Sequence, residues 1–169
     1  MVTRDSVGSW LEGGPGGHGD DEGLPRGARL GLPATGPGSL ARLGRRVVAL
    51  TIDWAACLAV SAVLLPSRTD GLFLLRGDSL ATLAVFALEN VVLLATLGHT
   101  LGHRLLGLQV RRTIPATPDG PPQLSQRPPG VLSALVRTVL LCLVLPAVVW
   151  DGDGRGLHDR AAGTVLVRR

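Results

Sequence analysis

The first long apolar run of the chain begins with two charged residues at helical spacing. Arg46 and Asp53 are seven residues apart, and Asp53 is the one formally charged residue between Val47 and Leu65. Seven steps of about 100° return nearly to the same face of an α-helix, so both side chains are predicted to lie on one stripe, two turns apart. An ionised carboxylate at mid-membrane costs roughly 2.5 kcal/mol or more, so Asp53 is expected to have a partner, a proton or water.

Two later apolar runs carry further polar residues that need a partner. Glu89 and Asn90 lie near the middle of the second run, and Arg137 lies about two turns into the third. We interpret Glu89 and Asn90 as residues that join helices by hydrogen bonds, with an ion or substrate path as the alternative. Arg137 is expected to extend to the headgroup level, or to pair with Asp53 or Glu89.

Two patterns resemble metal or catalytic sites but lack the residues that such sites need. His99 and His103 have the spacing of a metal-binding pair on a helix, but no acidic residue or cysteine accompanies them locally. His158 and Asp159 form the pair found in metal-dependent phosphohydrolases, which need further His and Asp ligands that this chain does not offer. We therefore expect a protein that is not an enzyme and that holds no metal or cofactor.

The elements that would position these residues are apolar segments of membrane length. Residues 47–65, 80–97 and 131–150 would each form a helix of about 27–30 Å at ~1.5 Å per residue, close to the hydrocarbon thickness of a bilayer. The expected fold class is an all-α membrane protein with about three transmembrane helices. The basic, amphipathic residues 98–112 are expected to form an interfacial segment.

Composition supports the membrane assignment. Hydrophobic residues make up 46% of the chain and the mean hydropathy is +0.33. All 17 basic residues are arginine, and they flank the apolar segments, which favours anionic lipid headgroups over nucleic acid as partner.

Cys57 and Cys142 lie inside apolar segments and are expected to be small buried residues, not a disulfide. Residues 1–39 are Gly- and Pro-rich, which predicts a flexible N-terminal region before a membrane domain at 40–169.

The positions of the arginines predict the orientation in the membrane. Arg42, Arg45 and Arg46 stand before the first span and favour a cytoplasmic N-terminus. The loop at 66–79 would then lie outside, and the loop at 98–130, which is richer in arginine, would lie inside.

Two rules disagree about the C-terminal motif. Length and apolarity favour a straight crossing by residues 131–150, which is the preferred interpretation and would place the following residues outside. The arginines of the tail favour the cytoplasm, and Pro146 could bend the segment so that it returns. A contact between Arg46 and Asp159 is possible only in the returning alternative.

Three separated motifs resemble one family of membrane proteins. They are Arg46 with Asp53, the sequence Gly-His-Arg-Leu-Leu-Gly-Leu at 102–108, and Leu-His-Asp-Arg-Ala-Ala-Gly-Thr-Val at 157–165. In this order, over about residues 40–168, they resemble the RDD family, which is named for one arginine and two aspartates. The resemblance maps these residues onto Arg46, Asp53 and Asp159. The opening residues 8–13 are similar to a subgroup from high-GC Gram-positive bacteria.

The resemblance implies an integral protein of the cell membrane, for which ligand transport has been suggested, and it implies no reaction. Two function classes stay open. The preferred one is a non-catalytic accessory or assembly subunit of a membrane complex, because three spans are few for a solitary transporter. The alternative is a small transporter or ion-exchange subunit that uses buried Asp53, Glu89 and Arg137. Beside the three motif residues, the supporting site residues are expected to be Glu89, Arg137 and His158. Expected partners are the lipid bilayer and other membrane proteins or further copies of the chain.

Overall fold

The framework of the protein is a hairpin of two long helices. A computed structural model describes residues 27–114, 123–143 and 155–169. Helix α1 (Leu43–Leu64) has 22 residues and helix α2 (Ser79–Leu97) has 19, and both are long and apolar enough to cross a membrane. A backbone bridge between Pro66 and Gly77 closes the loop that joins them, so the two helices run antiparallel.

Local chemistry determines where α2 begins and ends. The Oδ1 atom of Asp78 accepts a hydrogen bond from Ala81 N at 2.9 Å and so satisfies a donor of the first turn. Gly98 ends the helix in a left-handed conformation with φ 71°, and its N–H donates to the carbonyls of Leu93 and Leu94. This end directs the following residues back against α1.

Helix α1 buries small and polar side chains, α2 buries two polar and two large apolar ones, and both helices expose many large apolar side chains. The buried residues of α1 are Gly44, Ala49, Asp53, Cys57, Ser61 and Ala62. By contrast, Leu64 is 69% exposed and Leu80 is 78% exposed. A water-soluble domain has the opposite arrangement, whereas hydrocarbon is a suitable surrounding for an apolar exterior.

In the described part of the chain, the two long helices are accompanied by three shorter α-helices, α3 (Leu101–Leu105), α4 (Val131–Cys142) and α5 (Leu157–Ala161), and by 3-10 turns at Ala28–Leu30 and Phe73–Leu75. Helix α4 packs mainly against α2, and α5 packs against α4. With 12 residues, α4 is about 18 Å long, well short of the ~30 Å hydrocarbon thickness. The third transmembrane helix predicted at 131–150 is therefore not confirmed: within the described residues, which leave out 144–154, two helices have membrane length.

A small antiparallel sheet corrects the all-α prediction. Its strands are β1 (Leu108–Ile114), β2 (Gln123–Leu124) and β3 (Thr164–Arg168), in the order β2-β1-β3. The predicted interfacial segment at 98–112 is thus a short helix followed by a strand. Apolar and polar residues alternate along β1, which suits a strand with one covered face. In so short a segment, this sequence pattern does not distinguish a strand from an amphipathic helix.

Two apolar clusters cover the two faces of β3. One joins the sheet to the helices and consists of Ala41, Ala49, Leu94, Leu108, Val110, Ala134 and Leu166. The other consists of Leu30, Leu40, Val165 and Val167. Residues 27–41, most of which the sequence analysis assigned to the N-terminal region, therefore pack on the sheet, while residues 1–26 lie outside the described part. The sheet sits at the N-terminal end of α1, because Ala41 N donates to Leu166 O at 2.8 Å.

Candidate functional site

Asp159 is buried between two arginines that come from two other helices. It lies on α5 with no exposed surface, and its Oδ2 atom is 3.0 Å from Nη1 of Arg46 on α1. Arg137 on α4 forms an ion pair with the other carboxylate oxygen, Oδ1. The hydroxyl of Thr164 lies 3.4 Å from the same oxygen. These contacts join α1, α4, α5 and β3 around one buried carboxylate.

The same cluster reaches the point where the sheet meets α1. Arg46 Nε donates to the carbonyl of Ala41 at 2.9 Å. The imidazole of His158 is buried, with Nε2 3.7 Å from Asp159 Oδ1. Arg46 is therefore fixed from both sides, by the carboxylate of α5 and by the backbone that leads out of the sheet.

Asp53 is satisfied by the turn that follows α2, without an arginine. Its Oδ2 accepts a hydrogen bond from the Thr100 hydroxyl at 2.6 Å, and its Oδ1 accepts one from the Gly102 N–H at 2.6 Å. The Thr100 hydroxyl is also 2.6 Å from His103 Nδ1, so it stands between a carboxylate and an imidazole. Because Asp53 is only 2% exposed, these two donors replace the water that it would otherwise need.

Gly102 makes this approach possible. A Cβ atom at this position would overlap the carbonyl oxygen of Ala49 on α1. The absence of a side chain lets the first turn of α3 lie directly on the α1 backbone, and its N–H then points at Asp53 one turn further along. A backbone donor at a close helix contact thus provides half of the carboxylate's hydrogen bonding.

His103 is held in the neutral form. The side chain lies on α3 and is almost fully buried. Burial is the main cause that keeps the pKa of the imidazole well below its ordinary 6.5, and the charges of Arg137 and Arg46 lower this pKa further. Nδ1 of a neutral ring can accept the hydrogen bond that the Thr100 N–H donates at 3.3 Å.

A cavity of about 80 Å³ brings the two carboxylate networks together. Its polar lining residues are Arg46, Asp53, Asn90, His103, Arg137 and His158. Its apolar lining residues are Leu43, Val47, Leu50, Leu141 and Leu166. The volume suits a few water molecules or a small ligand group. Within the described residues, no group of three His, Cys, Asp or Glu side chains is arranged to hold a metal ion.

Glu89 lies apart from this cavity lining, although its neighbour Asn90 belongs to it. Glu89 Oε2 accepts a hydrogen bond from Cys57 Sγ at 3.0 Å, which links α2 to α1 one turn beyond Asp53. Asn90 is buried and its Nδ2 donates to the Phe86 carbonyl at 3.0 Å. The two adjacent residues therefore have different surroundings, one at a helix contact and one at the cavity.

The structure differs from the preferred interpretation of the C-terminal segment. A straight third span would separate Arg46 and Asp159, whereas the two side chains are in contact. This is the arrangement of the returning alternative. The physical reason is electrostatic: a buried carboxylate costs several kcal/mol unless it is paired, and Arg46 and Arg137 pair with it at the N-terminal end of α1. Arg137 accordingly pairs with Asp159 and not with Asp53 or Glu89.

The spacing of Arg46 and Asp53 predicts that both lie on one helix stripe, and both line the same cavity. The spacing does not predict that Thr100 and Gly102 are the partners of Asp53. A signal exists for Thr100, which stands three residues before His103 and caps α3. Gly102 donates through its backbone, and no side-chain pattern reveals such a donor.

Comparison with known proteins identifies one family. The family model described as "RDD family" matches residues 40–163, which is most of the chain and includes Arg46, Asp53 and Asp159. No curated protein and no solved structure matches significantly. The matched region contains both membrane-length helices and the turn that binds Asp53. The chain is a membrane protein that belongs to the RDD family.

Proposed function

We propose that this RDD-family protein is a non-catalytic accessory or assembly subunit of a membrane complex. The observation that carries the proposal is that both buried carboxylates are bonded within the chain. Asp159 is shared by Arg46 and Arg137, and Asp53 accepts from the Thr100 hydroxyl and the Gly102 N–H. Groups that are fully bonded in this way hold elements in place, whereas a carrier needs charged groups that exchange partners.

The exterior supports a role among other membrane components. Large apolar side chains cover the outer faces of α1 and α2, and only 28% and 22% of the most apolar stretch of each helix is buried inside the protein. Such a hairpin has a large apolar surface that lipid or partner helices can cover. Its small interior leaves little space for a transport path within one chain. We propose that it lies in the cell membrane as a multi-pass protein with a cytoplasmic N-terminus.

A second candidate is a small transporter or ion-exchange subunit. The cavity favours it, because Arg46, Asp53 and Arg137 line one space that also contains two imidazoles. A path across the membrane would then need further copies or a partner to continue the space beyond the cavity.

Purification in a mild detergent distinguishes the two candidates. An accessory subunit is expected to co-purify with another integral membrane protein in a fixed stoichiometry, measured by mass spectrometry and light scattering. The isolated chain, reconstituted into vesicles, is expected to carry no proton or sodium flux. Flux catalysed by the chain alone or by its homo-oligomer would contradict the proposal.

A variant pair sharpens this experiment. Asp53→Asn is expected to reduce the amount of the co-purified complex, because the turn at 100–103 is held less strongly on α1. Asp70→Asn, at an exposed position of the loop between α1 and α2, serves as the control and should assemble normally. If Asp53→Asn assembled in full but abolished a flux, the transporter candidate would be favoured.

A further inference from the structure

The loop between α1 and α2 presents four large apolar side chains in a row. Leu72, Phe73, Leu74 and Leu75 are 75%, 50%, 42% and 59% exposed. Three of them form the 3-10 turn, which is closed by hydrogen bonds from Leu75 N to Leu72 O and from Arg76 N to Phe73 O. The described part of the chain leaves this surface, here called the loop patch, open to its surroundings.

The loop folds back against α1 instead of extending away from it. The 3-10 turn packs against α1, and Gly77 follows the turn after one residue. Gly77 lies directly on the backbone of Ser61, because a Cβ atom at Gly77 would come within 2.9 Å of the Ser61 carbonyl carbon. Ser61 precedes Leu64, the last residue of α1, by three residues, or about 4.5 Å along the helix axis. The loop patch is therefore held beside the last turn of α1.

The surface of α1 at this end is apolar as well. Val63 and Leu64 are 63% and 69% exposed, and Leu65, which ends the helix, is 48% exposed. Hydrocarbon is the suitable surrounding for this exterior of the membrane-length helix. Because the loop is packed on the same turn of α1, the loop patch continues the lipid-facing surface of the hairpin.

The charges of the loop do not select an anionic surface. Residues 66–78 contain Arg68 and Arg76, and they contain Asp70 and Asp78 in equal number. Attraction to anionic headgroups requires an excess of basic residues, which this loop lacks. Contact between apolar side chains and acyl chains is thus the interaction that the loop patch offers.

We propose that the loop patch is a membrane anchor that inserts into the lipid leaflet at the closed end of the hairpin. Leu72, Phe73 and Leu75 contact the acyl chains just below the headgroups, while Asp70 stays in water. The hairpin is then fixed at this end by a surface-parallel element in addition to its two spans. This anchor is an interaction with lipid and does not depend on the accessory role.

Fluorescence of the purified full chain in phosphatidylcholine vesicles tests the anchor without any protein partner. In a chain with Cys57 and Cys142 replaced by serine, Phe73→Cys or Asp70→Cys carries an environment-sensitive dye. The dye at position 73 is expected to emit at shorter wavelength and to be quenched by lipids with a nitroxide near the headgroup. The dye at position 70, the control, is expected to be quenched by aqueous iodide. Iodide quenching at position 73 as strong as at position 70 would overturn the anchor and leave the patch to a protein partner.

A polar double variant excludes a dye that inserts by itself. Leu72→Ser and Leu75→Ser, added to the Phe73→Cys chain, remove two of the apolar side chains at positions where folding does not depend on burial. Lipid quenching at position 73 is expected to fall about twofold, because insertion scales with the apolar area that enters the leaflet. Unchanged quenching would show that the dye, and not the loop patch, enters the membrane, and would overturn the proposal.

Lipid composition tests the apolar nature of the contact. When phosphatidylglycerol replaces part of the phosphatidylcholine, lipid quenching at position 73 is expected to stay the same, because the loop has equal numbers of arginine and aspartate. Quenching that appears only with phosphatidylglycerol would contradict an apolar anchor and would assign the contact to Arg68 and Arg76.

Discussion

At the scale of single residues, Asp159 contacts side chains from three other elements, α1, α4 and β3. Its carboxylate neutralises Arg46 and Arg137 in a place where neither arginine is exposed to bulk water. Replacing the acid removes the carboxylate that the two buried guanidinium groups share. The cost of breaking a buried ion pair from one side is about 3–5 kcal/mol, which is a large fraction of the stability of an ordinary domain.

We therefore expect Asp159→Asn to lower the yield of folded protein sharply. The measurement is the fraction of monodisperse protein in detergent and its unfolding midpoint. Asp70→Asn removes the same charge at an exposed position and should behave like the parent. If the two variants were equally stable, the ion pairs of Asp159 would not contribute to the free energy of unfolding.

Asp53→Asn should have a smaller effect than Asp159→Asn. The Asn side chain keeps one acceptor oxygen but presents an NH₂ group to either the Thr100 hydroxyl or the Gly102 N–H, both of which donate to Asp53. Facing the Thr100 hydroxyl, the NH₂ group can donate to it while the hydroxyl turns its proton toward His103 Nδ1, 2.6 Å away, so charge-assisted hydrogen bonds are replaced by weaker neutral ones at a cost of about 1–3 kcal/mol. Chemical denaturation in detergent, compared with Asp70→Asn, measures this difference; a loss as large as that of Asp159→Asn would disagree with the geometry.

The neutral state of His103 predicts a dependence of stability on pH. Its folded pKa is lowered, mainly by burial and then by Arg137 and Arg46, so the unfolded chain binds a proton that the folded chain does not. Stability is therefore full above the ordinary histidine pKa and falls as the pH drops below about 6.5, by at most ~1.4 kcal/mol per pH unit. His103→Gln should make the curve flatter between pH 7.5 and 5.5, and an unaltered slope would exclude His103 as the cause.

Some of these residue contacts follow from the sequence and others do not. The seven-residue spacing of Arg46 and Asp53 puts both at one cavity, because helical periodicity alone decides the shared face. The identity of their partners depends on tertiary packing. Asp159 lies 113 residues from Arg46, and the donor of Gly102 is a backbone group. Neither relation is local, so neither is encoded in a periodic pattern.

At the scale of elements, helix α3 is seated by a missing side chain. Gly102→Ala adds one methyl group where the Ala49 carbonyl of α1 already lies. We expect α3 to move away, the hydrogen bond to Asp53 to break, and stability to fall by about 1–3 kcal/mol. Leu105→Ala, on the same helix at a side chain that is 65% exposed, is the control for an alanine substitution away from the α1 backbone and should cost little. Equal unfolding midpoints for the two variants would argue against a close contact.

The strands were the least predictable elements. Helices α1 and α2 follow from length and apolarity, which the bilayer imposes on any segment that crosses it. Strand β1 pairs with β3, which begins 50 residues after β1 ends, and β3 in turn pairs with residues 38–41. Glycines with positive φ, Gly107 and Gly163, stand directly before β1 and β3 and mark the turns. These two glycines are the sequence signal that could have indicated strands at 108–114 and 164–168 where the pattern alone also fits helices.

At the scale of the whole molecule, the sheet decides on which side of the membrane the C-terminus lies. Strand β3 pairs with the residues just before α1, with Arg168 N donating to Ser39 O at 2.9 Å. The basic tail therefore lies at the same end of the hairpin as Arg42 and Arg45, and not at the loop between the spans. A straight third span would place the basic tail at the opposite end of the hairpin. Because the arginines before α1 and those of the C-terminal tail lie at one end, that disagreement does not arise.

This gathering of charge makes the orientation testable. The end of the hairpin with the sheet carries many arginines, whereas the loop between α1 and α2 carries Arg68 and Arg76. The excess of arginine at the sheet end predicts that this end faces the cytoplasm and that the loop faces outward.

In a chain whose native cysteines are replaced by serine, Ser67→Cys should react with a membrane-impermeant thiol reagent in intact cells. Gln126→Cys, exposed beside β2, should react only after the cells are opened. Labelling of Gln126→Cys but not of Ser67→Cys in intact cells would invert the topology. Because two spans leave both flanks of the hairpin on one side, labelling at both positions would be incompatible with a two-span hairpin of fixed orientation.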